Sequence, residues 1–156
     1  KSIQKNAYSL KYADKSFKKN KTILFKIFNF YLGGAAFKYI HNDLKKDKKV
    51  ALRALKTYGY AYKDLGKNNK LKNDKDIIFA AVKQTALVLG NINQKYRNDK
   101  KLILLAVKQN GFALRFASNK LKSDKGHILQ VLKDGSEKAE IIASKKVKKI
   151  KEIIGF

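Results

Sequence analysis

The chain has 156 residues, no cysteine and a formal net charge of +25, from 37 basic and 12 acidic residues. Without cysteine it has no disulfide or thiolate metal site, which fits a reducing, cytoplasmic compartment and leaves delivery into a host cell open. No apolar run approaches the roughly 20 residues that a transmembrane helix needs, and the excess of cations indicates a polyanionic partner.

One sequence pattern recurs every 25 to 27 residues along the chain. Each copy starts at an Asn or Asp and continues into an apolar run, and the starting residues are Asn20, Asp47, Asp74, Asp99 and Asp124. Self-similarity at a fixed period indicates a repeat architecture. We therefore predict one all-α domain over 1–156, a short α-solenoid of helical-hairpin repeats with capping helices. Its parts are a half unit over 1–19, unit 1 over 20–46, unit 2 over 47–73, unit 3 over 74–98, unit 4 over 99–123, and a degenerate unit plus C-terminal helix over 124–156.

The elements follow from this pattern in chain order. Apolar residues at helical spacing predict a lone helix in the half unit. In each complete unit, the starting residue is expected to be the N-cap of a broadly apolar leading helix that is packed on more than one side. Gly59 and Gly111 are expected to end that helix in a left-handed conformation. A narrower apolar stripe then predicts a second helix, and an amphipathic helix over 143–156 closes the chain.

The pattern is clearest in unit 4, where Asp99 is followed at fixed offsets by Ala106-Val107, Gly111 and Ala113-Leu114. This lettering resembles an uncharacterised bacterial and protist repeat family, a domain of unknown function that is common in effector-like proteins of intracellular bacteria. The resemblance implies helical-pair repeats and carries no catalytic residues. The fit is close over 99–124, good over 74–99, moderate over 47–74 and poor over 20–47.

Basic residues recur at equivalent positions of the units, which we call columns. The first column follows the capping residues and comprises Lys21, Lys48, Lys75, Lys100 and Lys125. The second column lies near the ends of the leading helices and comprises Lys56, Lys83, Lys108 and Lys133. The third column ends the second helix and comprises Lys18, Lys45, Lys72, Arg97 and Lys122. A cation in the first helical turn opposes the helix dipole by about 0.3–1 kcal/mol, so local stability does not explain the first column. We predict phosphate contacts at the first column, at Lys56, Lys83 and Lys108, and at Arg97 and Lys122.

A simpler interpretation of the columns stays open. Only Arg53, Arg97 and Arg115 are arginines, and a composition biased toward lysine would fill solvated positions that duplication then copies. Scarce arginine also disfavours base-specific readout and favours point-charge contacts to backbone phosphates. Most aromatic residues are expected in the core, while Tyr58 is a candidate for base stacking.

Catalytic motifs are absent from the sequence. His41 and His127 are isolated, and there is no P-loop, dinucleotide-binding or zinc-binding spacing. The chain is therefore expected to be non-enzymatic, with no cofactor and no metal. We predict a module that binds RNA, DNA or a nucleoprotein through backbone phosphates; the alternative is an effector-like or inhibitor-like module that docks on an acidic protein surface. Membrane binding by the lysine-rich tail over 145–151 is not expected, because its apolar stripe is short.

The capping residues give a first testable prediction. Asp99→Ala and Asp124→Ala should each lower the free energy of unfolding by about 0.5–2 kcal/mol, because each removes the acceptor for first-turn N–H groups. Urea denaturation of the two variants measures this loss. An unchanged unfolding midpoint would remove the residue from that role.

Overall fold

A computed structural model of the chain describes residues 7–123, and these residues form α-helices and short 3₁₀-helices without any strand. The prediction of an all-α fold is confirmed. Each complete unit has a leading α-helix, a middle 3₁₀-helix and a short closing helix. Within residues 7–123, no helix has both the length and the apolar character needed to cross a membrane.

The helices recur in the same order in every described unit. The leading helices are Lys21–Phe28, Lys48–Leu55, Lys75–Gln84 and Lys100–Gln109. The middle helices are Gly33–Tyr39, Gly59–Leu65, Ala86–Asn91 and Gly111–Phe116. The closing helices are Asn42–Lys45, Lys70–Asn73, Gln94–Asn98 and Asn119–Ser123, the second and third of which are 3₁₀-helices. The half unit contributes a 3₁₀-helix over Ala7–Tyr12 and a closing α-helix over Lys15–Lys19.

The predicted N-caps are confirmed in the four complete units. Asn20 accepts a hydrogen bond from the Ile23 amide at 3.1 Å, and Asp99 accepts one from the Leu102 amide at 3.1 Å. Asp47 and Asp74 each accept two bonds from first-turn amides. These side chains satisfy N–H groups that have no partner inside the helix. Asp124, the fifth predicted cap, lies outside the described residues.

The prediction of a single second helix per unit is wrong, because a middle and a closing helix replace it. In units 1 and 4, the break occurs where a backbone amide bonds to the preceding unit instead of continuing its own helix. The His41 amide donates to the Lys18 carbonyl at 3.1 Å, and the Ser118 amide donates to the Arg97 carbonyl at 3.0 Å. Ser118 also caps the new helix through its hydroxyl, 3.3 Å from the Leu121 amide. In these two units, pairing with the preceding unit therefore accompanies the division of the segment that the sequence predicts as one helix.

The predicted glycine stops are also wrong. Among the described glycines, Gly66 is the one with a positive φ, 84°. The leading helices of units 3 and 4 end instead at extended residues, Thr85 with φ −146° and Asn110 with φ −152°. Gly59 is required for a different reason, since a Cβ there would lie 2.6 Å from the Ala81 carbonyl oxygen of the next unit. This glycine allows close packing between units.

One hydrophobic core runs through all described units, from Leu10 to Leu121. The leading helices bury residues toward both neighbouring units, as the sequence predicts. The middle helices add large side chains such as Phe37 and Leu89, both almost fully buried. Tyr62 is buried too, and its hydroxyl donates to the Lys72 carbonyl at 2.9 Å, so its polar atom is satisfied.

A polar side chain at the end of the leading helix joins each unit to the preceding one. Gln84 accepts a hydrogen bond from the Gly59 amide at 2.5 Å and donates to the Thr57 carbonyl at 3.3 Å. Gln109 makes the same two kinds of bond to the turn of unit 3. The Thr57 hydroxyl has the equivalent place between units 1 and 2, where it accepts from the Gly34 amide at 3.0 Å. These bonds fix the C-terminal ends of neighbouring leading helices side by side.

Gln84→Ala should lower the free energy of unfolding by about 1–3 kcal/mol, because it leaves the buried Gly59 amide without a partner. Gln94→Ala is the matched control, since Gln94 is an exposed glutamine in the same unit. Urea denaturation of the two variants compares the losses. Equal losses would mean that the hydrogen bonds of Gln84 do not hold the units together.

Candidate anion-binding surface

The first-column lysines of units 1 and 2 pair with carboxylates of the next unit. Lys21 Nζ lies 2.6 Å from Asp47 Oδ2. Lys48 Nζ lies 2.8 Å from Asp74 Oδ2 and 2.6 Å from Asp76 Oδ2. Each lysine follows the cap of its own helix and binds the capping carboxylate of the following helix. This pairing explains a cation in the first turn, and a phosphate at either lysine would compete with a carboxylate.

The other first-column lysines have different surroundings. Lys75 and Lys100 are exposed at the starts of their leading helices. Lys75 has no salt bridge to a carboxylate of residues 7–123. Lys125 lies outside the described residues. The predicted phosphate contacts of this column stay predictions, and for Lys21 and Lys48 they have an intramolecular competitor.

The second column lies on the opposite edge of the leading helices. Lys56, Lys83 and Lys108 are exposed at the C-terminal ends of these helices, which are eight to ten residues long. Such a helix is about 12–15 Å long, so the first and second columns do not form one site. Lys122 of the third column is exposed in the closing helix of unit 4.

Three residues of the third column, Lys18, Lys45 and Arg97, bind carbonyls near the C-terminal ends of the preceding 3₁₀-helices. Arg97 Nη2 donates to the Gly90 carbonyl at 2.9 Å. Lys45 Nζ donates to the Lys38 carbonyl at 3.0 Å, again seven residues earlier, and Lys18 makes the same bond in the half unit. Cations are favourable where helix carbonyls lack partners. These side chains are thereby held in fixed positions beside the closing helices.

The surface has two grooves. Each lies between the closing helix of one unit and the residues around the start of the closing helix of the next unit. They have volumes of about 420 Å³ and 550 Å³. The first groove is lined by Lys15, Lys18, Lys19, Tyr39, Ile40, His41 and Asn42. The second groove is lined by Asn42, Lys45, Lys46, Asp64, Leu65, Gly66, Lys67, Asn68 and Asn69. The grooves are equivalent by repeat and meet at Asn42, so they form one continuous surface with three lysines in each part.

Hydrogen bonds between units define the sides of these grooves. In the first groove, the bond from the His41 amide to the Lys18 carbonyl joins the two sides. In the second, Asn69 Nδ2 donates to the Lys45 carbonyl at 2.8 Å. Both bonds connect the end of one closing helix to the start of the next. The lysines of one closing helix therefore stand opposite the polar residues that begin the following closing helix.

The second groove contains a partly buried lysine and a partly buried carboxylate. Burial lowers the pKa of Lys45, an effect that the nearby Asp64 carboxylate opposes. Burial raises the pKa of Asp64, which Lys45 and other lysines oppose. The two side chains are close enough to interact electrostatically, but no salt bridge joins this pair of described residues. A bound anion at Lys45 would compensate for the cost of burying its charge.

Comparison with known proteins identifies a family. The family model described as Domain of unknown function (DUF4116) matches residues 23–68 and 99–134, which together are more than half of the chain. The chain belongs to this family. The first DUF4116 segment includes unit 1 from Ile23 onward and most of the second groove, and the second includes unit 4. No curated protein and no solved structure matches the chain.

The sequence pattern predicts only some of the lysines that line the grooves of this DUF4116 chain. Lys18 and Lys45 belong to the third column, and each is followed by a second lysine, Lys19 or Lys46. This repeated pair of lysines is the sequence feature that could have indicated the grooves. Lys67 lies in a segment that is specific to unit 2, so periodicity does not predict it. Within residues 7–123, no three His, Asp or Glu side chains come together as a metal site.

The salt bridges between units alter the titration of the capping carboxylates. The hydrogen bond from Lys21 lowers the pKa of Asp47, and the hydrogen bond from Lys48 lowers the pKa of Asp74, in each case with help from the first-turn amides. In the same pairing, the hydrogen bonds to Asp74 and Asp76 raise the pKa of Lys48. A carboxylate with a lowered pKa in the folded state stabilises that state above its ordinary pKa, 3.8.

The folded chain should therefore lose stability as the pH falls from about 5 through the lowered pKa values of Asp47 and Asp74. The double variant Asp47→Asn, Asp74→Asn retains a capping oxygen and removes the charge, so its melting temperature should depend less on pH between about 5 and 2. Thermal melts across this range compare the two proteins. Identical acid dependence would show that these salt bridges do not contribute.

Proposed function

We propose that this DUF4116 chain is a non-enzymatic module that binds nucleic acid, as RNA, DNA or part of a nucleoprotein, through backbone phosphates in the two grooves. The observation that carries the proposal is the repetition of a lysine-lined groove between successive units. Two equivalent grooves that meet at Asn42 suit a ligand that is itself repetitive and continuous. A nucleic-acid backbone has that character.

The charge of the surface supports an anionic ligand. The two grooves contain six lysines and one carboxylate, Asp64. Concave surfaces that carry one sign of charge focus the electrostatic field and raise the local concentration of counter-ions. Binding of a polyanion would release its condensed cations, which supplies a large favourable contribution at low salt. Lys56 and Lys83 on the far edge add to the overall field.

The residue types favour recognition of the backbone over recognition of base sequence. Lysine presents a point charge on a flexible stem, whereas base-edge recognition relies mainly on the bidentate geometry of arginine. Lysine and asparagine line both grooves, and the amides of Asn42, Asn68 and Asn69 add donors for phosphate oxygens. The expected binding is therefore strong at low salt and weakly dependent on base sequence.

The proposal is tested by reversing charges at matched exposed positions. Lys15→Glu, Lys46→Glu and Lys67→Glu together change both grooves, while Lys26→Glu, Lys101→Glu and Lys120→Glu change exposed lysines that lie in no groove and no column. Both triples change the net charge by the same amount. The measurement is the affinity for a single-stranded oligonucleotide as a function of salt concentration, by fluorescence anisotropy, with melting temperature as the check on folding.

The groove triple should make the log–log salt slope shallower by about 2, because each lost phosphate contact on a single strand removes about 0.7. The control triple should change the slope much less. Equal losses from both triples would mean that only net charge matters. No binding at low salt by the unaltered chain would contradict the proposal and favour the alternative, an effector-like module for an acidic protein surface.

A further inference from the structure

A third cavity adjoins both grooves and has a different chemical character. It has a volume of about 260 Å³ and lies among the middle helices of the half unit, unit 1 and unit 2. We call it the tyrosine pocket; it is lined by Tyr8, Ala35, Lys38, Tyr39, Tyr58, Tyr60, Lys63 and Asp64. Tyr39 also lines the first groove, and Asp64 also lines the second. The pocket is therefore continuous with the anion-binding surface.

The tyrosine rings of the pocket do not stack face to face on one another. Tyr8 and Tyr39 meet edge to face, with ring centroids 6.3 Å apart and an interplanar angle of 65°. Tyr58 and Tyr60 are tilted by 58° at 6.0 Å. Tyr8 is 56% exposed, so its ring is accessible from solvent. These ring pairs are tilted rather than parallel, so a flat ligand can make the parallel stacking contact that they lack.

The charges in the pocket decide what kind of ligand fits. Tyrosines beside a carboxylate can hold an ammonium group through cation–π attraction. Here two ammonium groups are already present, because Lys63 Nζ lies 4.8 Å from the Tyr60 centroid and Lys38 Nζ lies 5.9 Å from the Tyr39 centroid. A cationic ligand would be repelled by them. A ligand that joins a flat ring to an anion matches both the rings and the lysines.

Asp64 supplies a hydrogen-bond acceptor at the boundary between the pocket and the second groove. Its side chain is partly buried, and no donor among residues 7–123 makes a hydrogen bond or salt bridge to it. Nearby lysines attract the Asp64 carboxylate electrostatically, and Lys45 has the largest effect among them. A carboxylate in this position can accept a bond from an exocyclic amino group, which cytosine, adenine and guanine carry and uracil lacks.

We propose that the tyrosine pocket receives one unstacked base of a single-stranded nucleic acid whose phosphates occupy the adjoining grooves, with Asp64 accepting a hydrogen bond from the amino group of the base. The inference rests on the proposed function and narrows it to single strands. Stacking on aromatic side chains tolerates all bases, and Asp64 adds a preference for those with an amino group. The backbone then continues past Lys45 in the second groove.

The experiment compares three short oligomers of about four nucleotides, namely oligocytidine, oligouridine and an abasic oligomer with the same number of phosphates. Each is titrated into the unaltered chain and into Tyr8→Ala, Asp64→Ala and Tyr12→Ala. Tyr12 is the matched control, because it is 82% exposed and does not line the pocket. Melting temperatures check folding, and ratios of affinities within one variant cancel changes in net charge.

In the unaltered chain, oligocytidine should bind about 5- to 150-fold more tightly than the abasic oligomer, the range expected for stacking of one base. Tyr8→Ala should remove most of this ratio, and Tyr12→Ala should preserve it. Asp64→Ala should abolish the preference for oligocytidine over oligouridine. These results would support a base in the tyrosine pocket.

Three results would overturn this inference and leave the proposed function in place. One is equal affinity for oligocytidine and the abasic oligomer, and another is a ratio that Tyr8→Ala leaves unchanged. The third is tight binding of a trimethyl-lysine peptide that oligocytidine does not displace, which would make the pocket a cation site. If no oligomer binds at low salt, the proposed function itself fails and the inference fails with it.

Discussion

The fold depends on a carboxylate that two units share. Asp47 caps its own leading helix through the amides of Lys49 and Val50, and it also binds the ammonium group of Lys21 from the preceding unit. Asp74 has the same two roles toward Lys48. One side chain thus begins a helix and fixes its N-terminus beside that of its neighbour. Together with the glutamine bonds at the other end, it sets the leading helices parallel.

This parallel stacking creates the candidate site. Because the units repeat the same path, the closing helices of the half unit and of unit 1 each face the start of the next closing helix, and a groove lies between them. The middle helices are stacked in the same way, which brings tyrosines from three parts of the chain into one pocket. Lys21 and Lys48 form salt bridges between units and stabilise the stack. The lysines that line the grooves are Lys15, Lys18, Lys19, Lys45, Lys46 and Lys67.

The sequence predicts features that are local to one unit. The period, the caps at Asn20 and Asp47 and the all-α fold can be read directly, because an N-cap and its helix are adjacent in the chain. The broken second helix cannot be read in this way, since the His41 amide bonds to a carbonyl of the preceding unit. The close approach at Gly59 and the partner of Lys21 depend on neighbouring units for the same reason.

The candidate site is harder to predict than the fold, because it uses departures from the repeat. A lysine that recurs in every unit suggests a binding site, yet Lys21 and Lys48 form salt bridges with carboxylates of the next unit. The grooves instead use a second lysine in two closing helices and Lys67 in a segment that is specific to unit 2. The tyrosine pocket joins residues as distant in sequence as Tyr8 and Tyr60, which only the stacking of units brings together.

Amide hydrogen exchange with and without a single-stranded oligonucleotide tests the central claim most directly, since it reports where the ligand lies on the intact chain. The account predicts slower exchange in the closing helices Lys15–Lys19 and Asn42–Lys45 and in the segment 66–69 when the oligonucleotide is bound. Slower exchange confined to the turns after Lys56 and Lys83, with no change at the closing helices, would contradict it.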